Sequence, residues 1–569
     1  MAVSWATTAK IPVGTWAERQ PRYVRGLSPC LTHCPVGNDV EGFVSRLRDG
    51  DTAEASRILA AETPFPAVCG RVCYHPCEAA CNRVKMDGAV GIRGIERFLG
   101  DLPFFDSAEL WQPAERSTRN RVAVVGAGPG GLSAAWGLAL LGHRVEIFER
   151  AGQPGGLLRY GIPSYRLPKE ILDREIQRIV DLGVTITCDT RVGGTEDLRK
   201  LLGRFDAVFV ASGAVRSRAL GMEGEETGGC FSALDFLSRV AAGNPPDVGE
   251  ACVVVGGGNS AVDAARSARR LGAGEVTILY RRSRAEMPAY EGEIEDALAE
   301  GIELVELAMP LELNIENGRL ASLKCLRTRL GEPDASGRRR PVPVPESDFE
   351  LRVSTLVNAL GEQADAADLS GDEGLQQALS VLDSWGESSL PGLFAGGDFA
   401  GSERTVAHAI GGGKRAAMAI DRHLTGKAGD PLERFRVGGG PASIAAYLHD
   451  TETEVLRQGI HVTPFEDLNP DYFPPAERKE LARRLATAPA DFHEVERGFT
   501  ARQAREEAGR CFSCARCTHC GLCQIFCPEG AVHFDPDTGE RTVDSAHCKG
   551  CGICVEECPR HAVEMRVLP

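Results

Sequence analysis

The chain comprises 569 residues with a formal net charge of −16, 43% hydrophobic and 25% charged residues. Three or four domains are expected at that length, the acidic balance argues against nucleic acid and anionic membranes as partners, and no apolar run reaches the ~18 residues that a membrane span needs. The amino-terminal stretch MAVSWATTAKIPVGTW lacks the basic-then-apolar layout of a signal peptide, so a cytoplasmic setting is expected.

The 20 cysteines are the compositional anomaly, and sixteen of them fall in two tight groups near the chain ends. In a chain without an export signal this pattern points to metal ligation rather than disulfides. Cys188, Cys230, Cys252 and Cys325 stand singly and read as small buried residues. The first group is Cys30, Cys34, Cys69, Cys73, Cys77 and Cys81. Between its members Val40, Phe43, Val44 and Leu47 recur at helical spacing, which predicts a small helical domain. Pro35 blocks helix beside Cys34, as prolines do beside cluster-binding cysteines in ferredoxins. Six thiols this close, next to a nucleotide-binding fold, favour iron–sulfur clusters, with zinc as the alternative.

From Arg121 to Glu149 the sequence RVAVVGAGPGGLSAAWGLALLGHRVEIFE reads as strand, glycine turn, helix and strand. Gly126, Gly128 and Gly131 stand in G-x-G-x-x-G register, with Pro129 and Gly130 inside the turn. Such a turn lets the backbone approach a pyrophosphate at the positive end of the helix. Glu149, followed by Arg150, is placed to accept a ribose hydroxyl. The segment Gly155 to Glu170, with Gly156 and Leu157 at its start, is expected to line the cofactor, and Ala211-Ser212-Gly213 to lead out of this first domain.

A second copy begins at Cys252, with Gly256, Gly258 and Ala261 at the three turn positions and Asn259 and Ser260 between them. Where the acid would stand, after Tyr280, the sequence has Arg281 and Arg282. Arginines there can pair with a 2′-phosphate, which favours NADPH over NADH; a solvated basic turn is the alternative. The chain returns through Val357 to Gly361. Then Gly396-Gly397-Asp398 would bring a carboxylate to the ribityl chain of a flavin, and a helix from about Thr405, with Ala409 near its start, would cover the ring with its dipole. Residues 430 to 505, with GGGP near Gly438 and a polar, helical-looking stretch around Arg478 to Arg484, read as a connector.

The carboxyl end doubles one run: Cys517, Cys520, Cys523, Cys527-Pro528, then Cys548, Cys551, Cys554, Cys558-Pro559. This is the spacing of a two-cluster [4Fe–4S] ferredoxin, whose fourth cysteine serves the other cluster. Crossed ligation predicts Cys517, Cys520, Cys523 and Cys558 for one cluster, and Cys548, Cys551, Cys554 and Cys527 for its twin.

The order of cysteine segment, GAGPGGL, GGLLRYGIP, GGGNSAVDAA, YRRSRAEMPA, AGGDF and TVAHAI resembles the glutamate synthase small (beta) subunit family. The cysteine and flavin half of dihydropyrimidine dehydrogenase and the large subunit of ferredoxin:NADP transhydrogenase are similar too. The likeness runs over about residues 28 to 425. The appended ferredoxin looks like those serving 2-oxoacid:acceptor oxidoreductases. Dihydropyrimidine chemistry would need an extra flavin barrel, for which the chain has no room. The resemblance implies that Cys34, Cys73, Cys77 and Glu96 bind one cluster, the carboxylate replacing a thiolate, and that Cys30 and Cys81 contribute to a second. The relatives carry a further cysteine pair upstream of Cys30, where this chain has Arg22 and Arg25. A matching fragment, EEAGRCFSC, instead precedes the ferredoxin, so Cys511 and Cys514 are expected to fold back and complete that cluster; the alternative is a pair that is unligated or binds a separate metal.

The expected fold is α/β, with two Rossmann-like dinucleotide-binding domains of the glutathione/thioredoxin reductase type between two iron–sulfur domains. The expected boundaries are 1–115 for a helical iron–sulfur domain, 116–214 with 362–428 for FAD, 215–361 for NAD(P)H, 429–505 for the connector and 506–569 for the ferredoxin. The expected function is an electron-transfer flavoprotein subunit linking NAD(P)(H), FAD and [4Fe–4S] clusters, with no catalytic side chain of its own, as the NAD(P)-linked arm of a 2-oxoacid:acceptor oxidoreductase-type complex. A glutamate synthase small subunit, a stand-alone NAD(P)H:ferredoxin oxidoreductase and a non-enzymatic redox sensor are the alternatives. The partner is therefore another oxidoreductase subunit or a ferredoxin.

Overall fold

A computed structural model describes residues 12–106, 110–111, 118–193, 195–334, 337–364, 373–401, 403–427, 435, 442–449, 461–484 and 489–568. Much of the connector, including the GGGP around Gly438, lies outside the described residues.

The first nucleotide domain is built on a five-stranded parallel sheet. Its order is Leu393–Ala395, Ala207–Val210, Arg121–Val125, Arg144–Phe148 and Thr185–Thr187. The central strands are runs of Val, Ala, Ile and Phe because helices cover both of their faces. The helix Pro129–Leu140 follows the first strand directly and packs against the 20-residue helix Val406–Thr425. Glycine makes that packing close: a Cβ on Gly413 would stand 2.1 Å from the carbonyl oxygen of Gly130.

The second nucleotide domain repeats the plan, with parallel strands ordered Glu303–Glu306, Glu275–Tyr280, Ala251–Val255, Thr355–Asn358 and Cys230–Ser232. Inserted in it is a long antiparallel sheet, Ala308–Glu316, Arg319–Pro333 and Arg339–Arg352. The two crossings between the domains run side by side, because Ala214–Ser217 pairs antiparallel with Glu362–Ala364. A two-stranded ribbon is thus the connection on which the second domain is hung.

The amino-terminal segment is helical, as the apolar spacing predicts. Val40–Arg48 is capped by Asp39, whose side chain accepts from the Gly42 N–H at 3.0 Å, and Val40, Phe43, Val44 and Leu47 are all buried. Its core is continuous with that of the first nucleotide domain. The edges of the end domains differ from a simple reading by chain order. Arg19–Tyr23 pairs antiparallel with Val563–Val567, so a strand near the amino terminus completes the ferredoxin's sheet. Conversely, Ala501–Gly509 packs on Val40–Arg48 and Ile92–Gly100 of the helical domain.

The stretch Arg478 to Arg484 is not helical but extended, with Arg483 bridged to Glu496. Its polar pattern suggests a helix, but two of its arginines find partners on other domains, while Arg484 pairs with Asp491 of the connector itself. Arg478 pairs with Glu78 at 2.6 Å and Arg483 with Asp296 at 2.9 Å. Backbone pairing replaces helical hydrogen bonds at its end: Arg484 N donates to the Val495 carbonyl and Arg497 N to the Ala482 carbonyl, both at 2.8 Å. Among the described residues no helix is long and apolar enough to cross a membrane.

Candidate nucleotide and cluster sites

The first glycine turn and the start of the helix after the second face one shared cavity of about 550 Å³, whereas Gly256 and Gly258 are not among the residues that line it. Gly126, Gly128, Pro129, Gly130, Glu149, Arg150, Gly156, Leu157, Asp398, Thr405 and Ala409 line it from the first domain, and Asn259 and Ser260 from the second. Each turn begins with a glycine that no other residue replaces easily. Gly126 has φ +104° and a Cβ there would lie 2.5 Å from the carbonyl oxygen of Ala211. Gly128 and Gly258, by contrast, would point a Cβ into open space, which is the cradle a pyrophosphate needs. Gly131 and Ala261 do not line the cavity; they lie where helix meets strand, as the third motif position requires.

Glu149 is buried, and its carboxylate ties the site together. It accepts from Ala127 N at 2.7 Å and Ala151 N at 2.8 Å, which leaves lone pairs for a ribose hydroxyl. Asp398 offers the clearest unmet demand. Its Oδ1 is buried and has no hydrogen-bond partner among the described residues, and burial pushes its carboxyl up to about 6. A polyol hydroxyl would satisfy that oxygen. Thr405 caps Val406–Thr425, accepting from His408 N at 3.2 Å, so the helix presents its amino-terminal end to the cavity. The residues fit an FAD.

Arg281 and Arg282 separate in the structure. Arg281 is exposed, whereas Arg282 is buried and engaged with the inserted sheet.

The ferredoxin thiols gather as crossed ligation predicts. Cys517, Cys520, Cys523 and Cys558 line one small cavity, and Cys527, Cys548, Cys551 and Cys554 line another. The local pseudo-symmetry extends to hydrogen bonds: Ala531 N donates to Cys527 Sγ and Ala562 N to Cys558 Sγ, both at 3.3 Å. Cys520 and Cys551 are exposed, so each site reaches the surface.

Cys34, Cys73, Cys77 and Glu96 line a third cavity together with Cys69. Glu96 is buried, accepts from Asn38 Nδ2 at 3.1 Å, and is pushed up to about 8, first by burial and then by the charge of Glu175. The sequence reading did not give Cys69 a role, yet it stands one turn before Cys73 on Pro66–Val72 and offers a thiol where Glu96 offers a carboxylate. This cavity abuts the nucleotide cavity. Val72 and Tyr74, which flank Cys73, line the nucleotide cavity, while Ala407, between the cavity-lining Val406 and Ala409, lines the thiol cavity.

Residues 96–413 match the family described as pyridine nucleotide-disulphide oxidoreductase, residues 24–106 the dihydropyrimidine dehydrogenase domain II with a 4Fe-4S cluster, and residues 516–562 a 4Fe-4S dicluster domain. The NADP(+)-dependent formate dehydrogenase subunit beta of Moorella thermoacetica is 40% identical over 86% of this chain and 71% of its own length. The NADPH-Fe(3+) oxidoreductase subunit beta of Geobacter sulfurreducens is 36% identical over 86% of this chain and 75% of its own. The glutamate synthase [NADPH] small chain of Escherichia coli is 34% identical over 69% and 87%. Among solved structures, Mycobacterium tuberculosis FprA in complex with NADPH superposes with a TM-score of 0.47 at 19% identity, covering 60% of this chain and all of that one. With its paired glycine turns and its thiol sets, the chain belongs to the pyridine nucleotide-disulphide oxidoreductase family, as an NAD(P)H-dependent electron-transfer flavoprotein that uses FAD and carries [4Fe–4S] domains toward both ends.

Proposed function

We propose that this chain is the NADP(H)-linked subunit of a hetero-oligomeric oxidoreductase and connects the nucleotide with a partner subunit's redox centre. The observation that carries the reading is the shared wall at Val72, Cys73 and Tyr74, where the nucleotide cavity and the first thiol cavity meet. A flavin, when bound, exchanges a hydride's two electrons with a nicotinamide and single electrons with clusters. The chain's own part is placement. Gly126, Gly128, Pro129, Gly130, Glu149, Arg150, Gly156 and Leu157 would hold the FAD diphosphate and adenosine, with Gly131 letting the helix close on the strand, and Asp398, Thr405 and Ala409 its ribityl and ring end. Gly258, Asn259 and Ser260 would hold the nicotinamide nucleotide, with Gly256 making the turn, Ala261 packing helix on strand and Arg281 toward the 2′-phosphate.

Cys34, Cys73, Cys77 and Glu96 would hold the cluster nearest the flavin, and the two ferredoxin sets those nearest the surface. The apolar side chains Ile525, Phe526 and Ile553 are exposed on and beside the helices that carry Cys523 and Cys554. They suit a partner subunit, and the relatives named above are themselves named as subunits. A 2-oxoacid oxidoreductase-like chain and a formate dehydrogenase-like chain are both partners of the right kind.

Anaerobic purification of the native complex, with every co-purifying chain identified, tests the reading. A stoichiometric oxidoreductase chain is expected; purification as a lone protein that reduces free ferredoxin would replace it with the stand-alone reductase.

A further inference from the structure

Cys511 and Cys514 fall in neither of the matched 4Fe-4S segments, which cover residues 24–106 and 516–562. The structure nevertheless places both against the amino-terminal thiols. Cys514 Sγ accepts from Asn82 Nδ2 at 3.4 Å, and Asn82 directly follows Cys81. Cys511 packs against the same hydrophobic core as Cys30 and Cys81, and Cys30 lies within electrostatic reach of Cys81, Cys511 and Cys514.

The backbone that achieves this is shaped for it. Ser513 and Ala515, on either side of Cys514, have φ of 51° and 63°, a left-handed conformation that non-glycine residues adopt at a cost. The surroundings hold that conformation in place. Ser513 is buried, and its Oγ accepts from Arg48 Nη1 at 2.7 Å and lies 3.1 Å from Ser45 Oγ, both on the helix Val40–Arg48. Ala515 N donates to the Arg560 carbonyl at 2.7 Å, two residues beyond Cys558. Just upstream, the buried Arg510 donates to the carbonyls of Asp87, Gly88 and Ala89, and Arg83 Nη1 donates to the Arg510 carbonyl at 2.5 Å. The segment is thus fastened to the helical domain on one side and to the ferredoxin on the other.

We propose that Cys30, Cys81, Cys511 and Cys514 hold a single [4Fe–4S] cluster assembled from the two ends of the chain, and that this cluster clamps the ferredoxin onto the helical domain. The site also occupies a fixed place in the layout. Cys30 lies four residues from Cys34 of the first thiol cavity, and Cys514 lies three residues from Cys517 of the ferredoxin. Three residues span at most about 11 Å. The inserted cluster therefore stands between the flavin-side site and the ferredoxin, and joins what would otherwise be separate groups.

The test uses the full-length protein, reconstituted anaerobically, with iron and sulfide counted per chain and reduced-state EPR recorded. Cys511→Ser/Cys514→Ser and Cys30→Ser/Cys81→Ser are each expected to lose about four iron atoms and the same EPR component, one [4Fe–4S] set. The quadruple variant is expected to lose no more than either double. Retention of wild-type iron by Cys511→Ser/Cys514→Ser, or a quadruple variant that loses the sum of the two doubles, would overturn the assignment. Thiol labelling of the wild-type protein, read by mass spectrometry, avoids reliance on variants that fold poorly. Cys30, Cys81, Cys511 and Cys514 should become reactive together as iron is removed with a chelator. Labelling of Cys511 and Cys514 in the iron-replete protein would equally sink the proposal.

Discussion

The guanidinium of Arg282 pairs with the Asp334 carboxylate at 2.7 Å and donates to the Arg339 carbonyl at 2.6 Å, which commits it to the inserted antiparallel sheet. Its neighbour Arg281 is exposed. Two arginines that look equivalent in sequence therefore do different work. Arg281→Ala is expected to raise KM for NADPH by about tenfold, the ~1.4 kcal/mol of one charge-assisted contact, and to leave KM for NADH unchanged. Arg282→Ala is expected to lower the thermal midpoint and to alter both nucleotides' KM equally. Steady-state kinetics with the two nucleotides separate the roles.

A second ion pair joins the two nucleotide domains. Arg166 Nη1 meets Asp263 Oδ2 at 2.8 Å and both side chains are almost wholly buried, with the Tyr165 hydroxyl donating to Asp263 Oδ1 at 3.3 Å. Breaking a buried pair from one side typically costs about 3–5 kcal/mol. Arg166 also meets Glu293 Oε1 at 3.1 Å, so Asp263→Ala should destabilise the protein by less than that in denaturant titration. Arg166→Met/Asp263→Leu, which removes both charges and leaves Glu293 its Arg266 partner, should recover most of the loss.

Lys169 supplies a pH dependence. Burial, with Arg159 nearby, holds its ammonium down to about 7, and its Nζ donates to the carbonyls of Leu158 at 2.9 Å and Ile162 at 2.5 Å. A neutral amine has two hydrogens for those two acceptors. Between pH 7 and the unfolded value of 10.5 the unfolded chain binds the extra proton, so this group makes stability rise with pH, by up to about 1.4 kcal/mol per pH unit. Lys169→Met should flatten the slope of unfolding free energy between about pH 7.5 and 9.5, inside that range. An unchanged slope would show that the lysine stays charged in the folded protein.

Flavin retention should follow Glu149 and Asp398, two carboxylates that line the cavity. Glu149→Gln keeps the shape but loses the charge that both Ala127 N and Ala151 N donate to, and Asp398→Ala removes the unpaired Oδ1. Each is expected to weaken FAD by about 10- to 100-fold, from the ~1.5–3 kcal/mol of a hydrogen bond to a charged group. The flavin-to-protein ratio after gel filtration measures it, and a full complement of flavin in both variants would count against the assignment.

Much of this architecture was legible in the sequence because it is local. Gly126 to Glu149 and Gly256 to Tyr280 each form one strand–turn–helix–strand unit, and the ferredoxin thiols carry their pattern within short runs. What escaped notice depends on distant partners. Arg19–Tyr23 has neither alternation nor flanking turn signals, and it is a strand only because Val563–Val567 offers an open edge. Arg478 to Arg484 looks helical by its polar pattern, but its backbone pairs instead with residues 495–497, and Arg478 and Arg483 reach Glu78 and Asp296. Cys69 had a visible signal, a cysteine one helical turn before Cys73, but the resemblance directed attention to Glu96 instead. The inserted sheet from Ala308 to Arg352 carries polar residues on exposed edges and so lacks the apolar runs of its parallel neighbours.

The central claim is that nucleotide, flavin and clusters form one electronically connected unit within this chain. Anaerobic titration of the cluster-replete protein with NADPH, followed by flavin absorbance and by low-temperature EPR, tests it most directly. The account predicts bleaching of the flavin band with cluster signals developing in the same titration, and no such cluster signals in a flavin-depleted sample. Cluster reduction without flavin, or a flavin band unmoved by either NADPH or NADH, would contradict it.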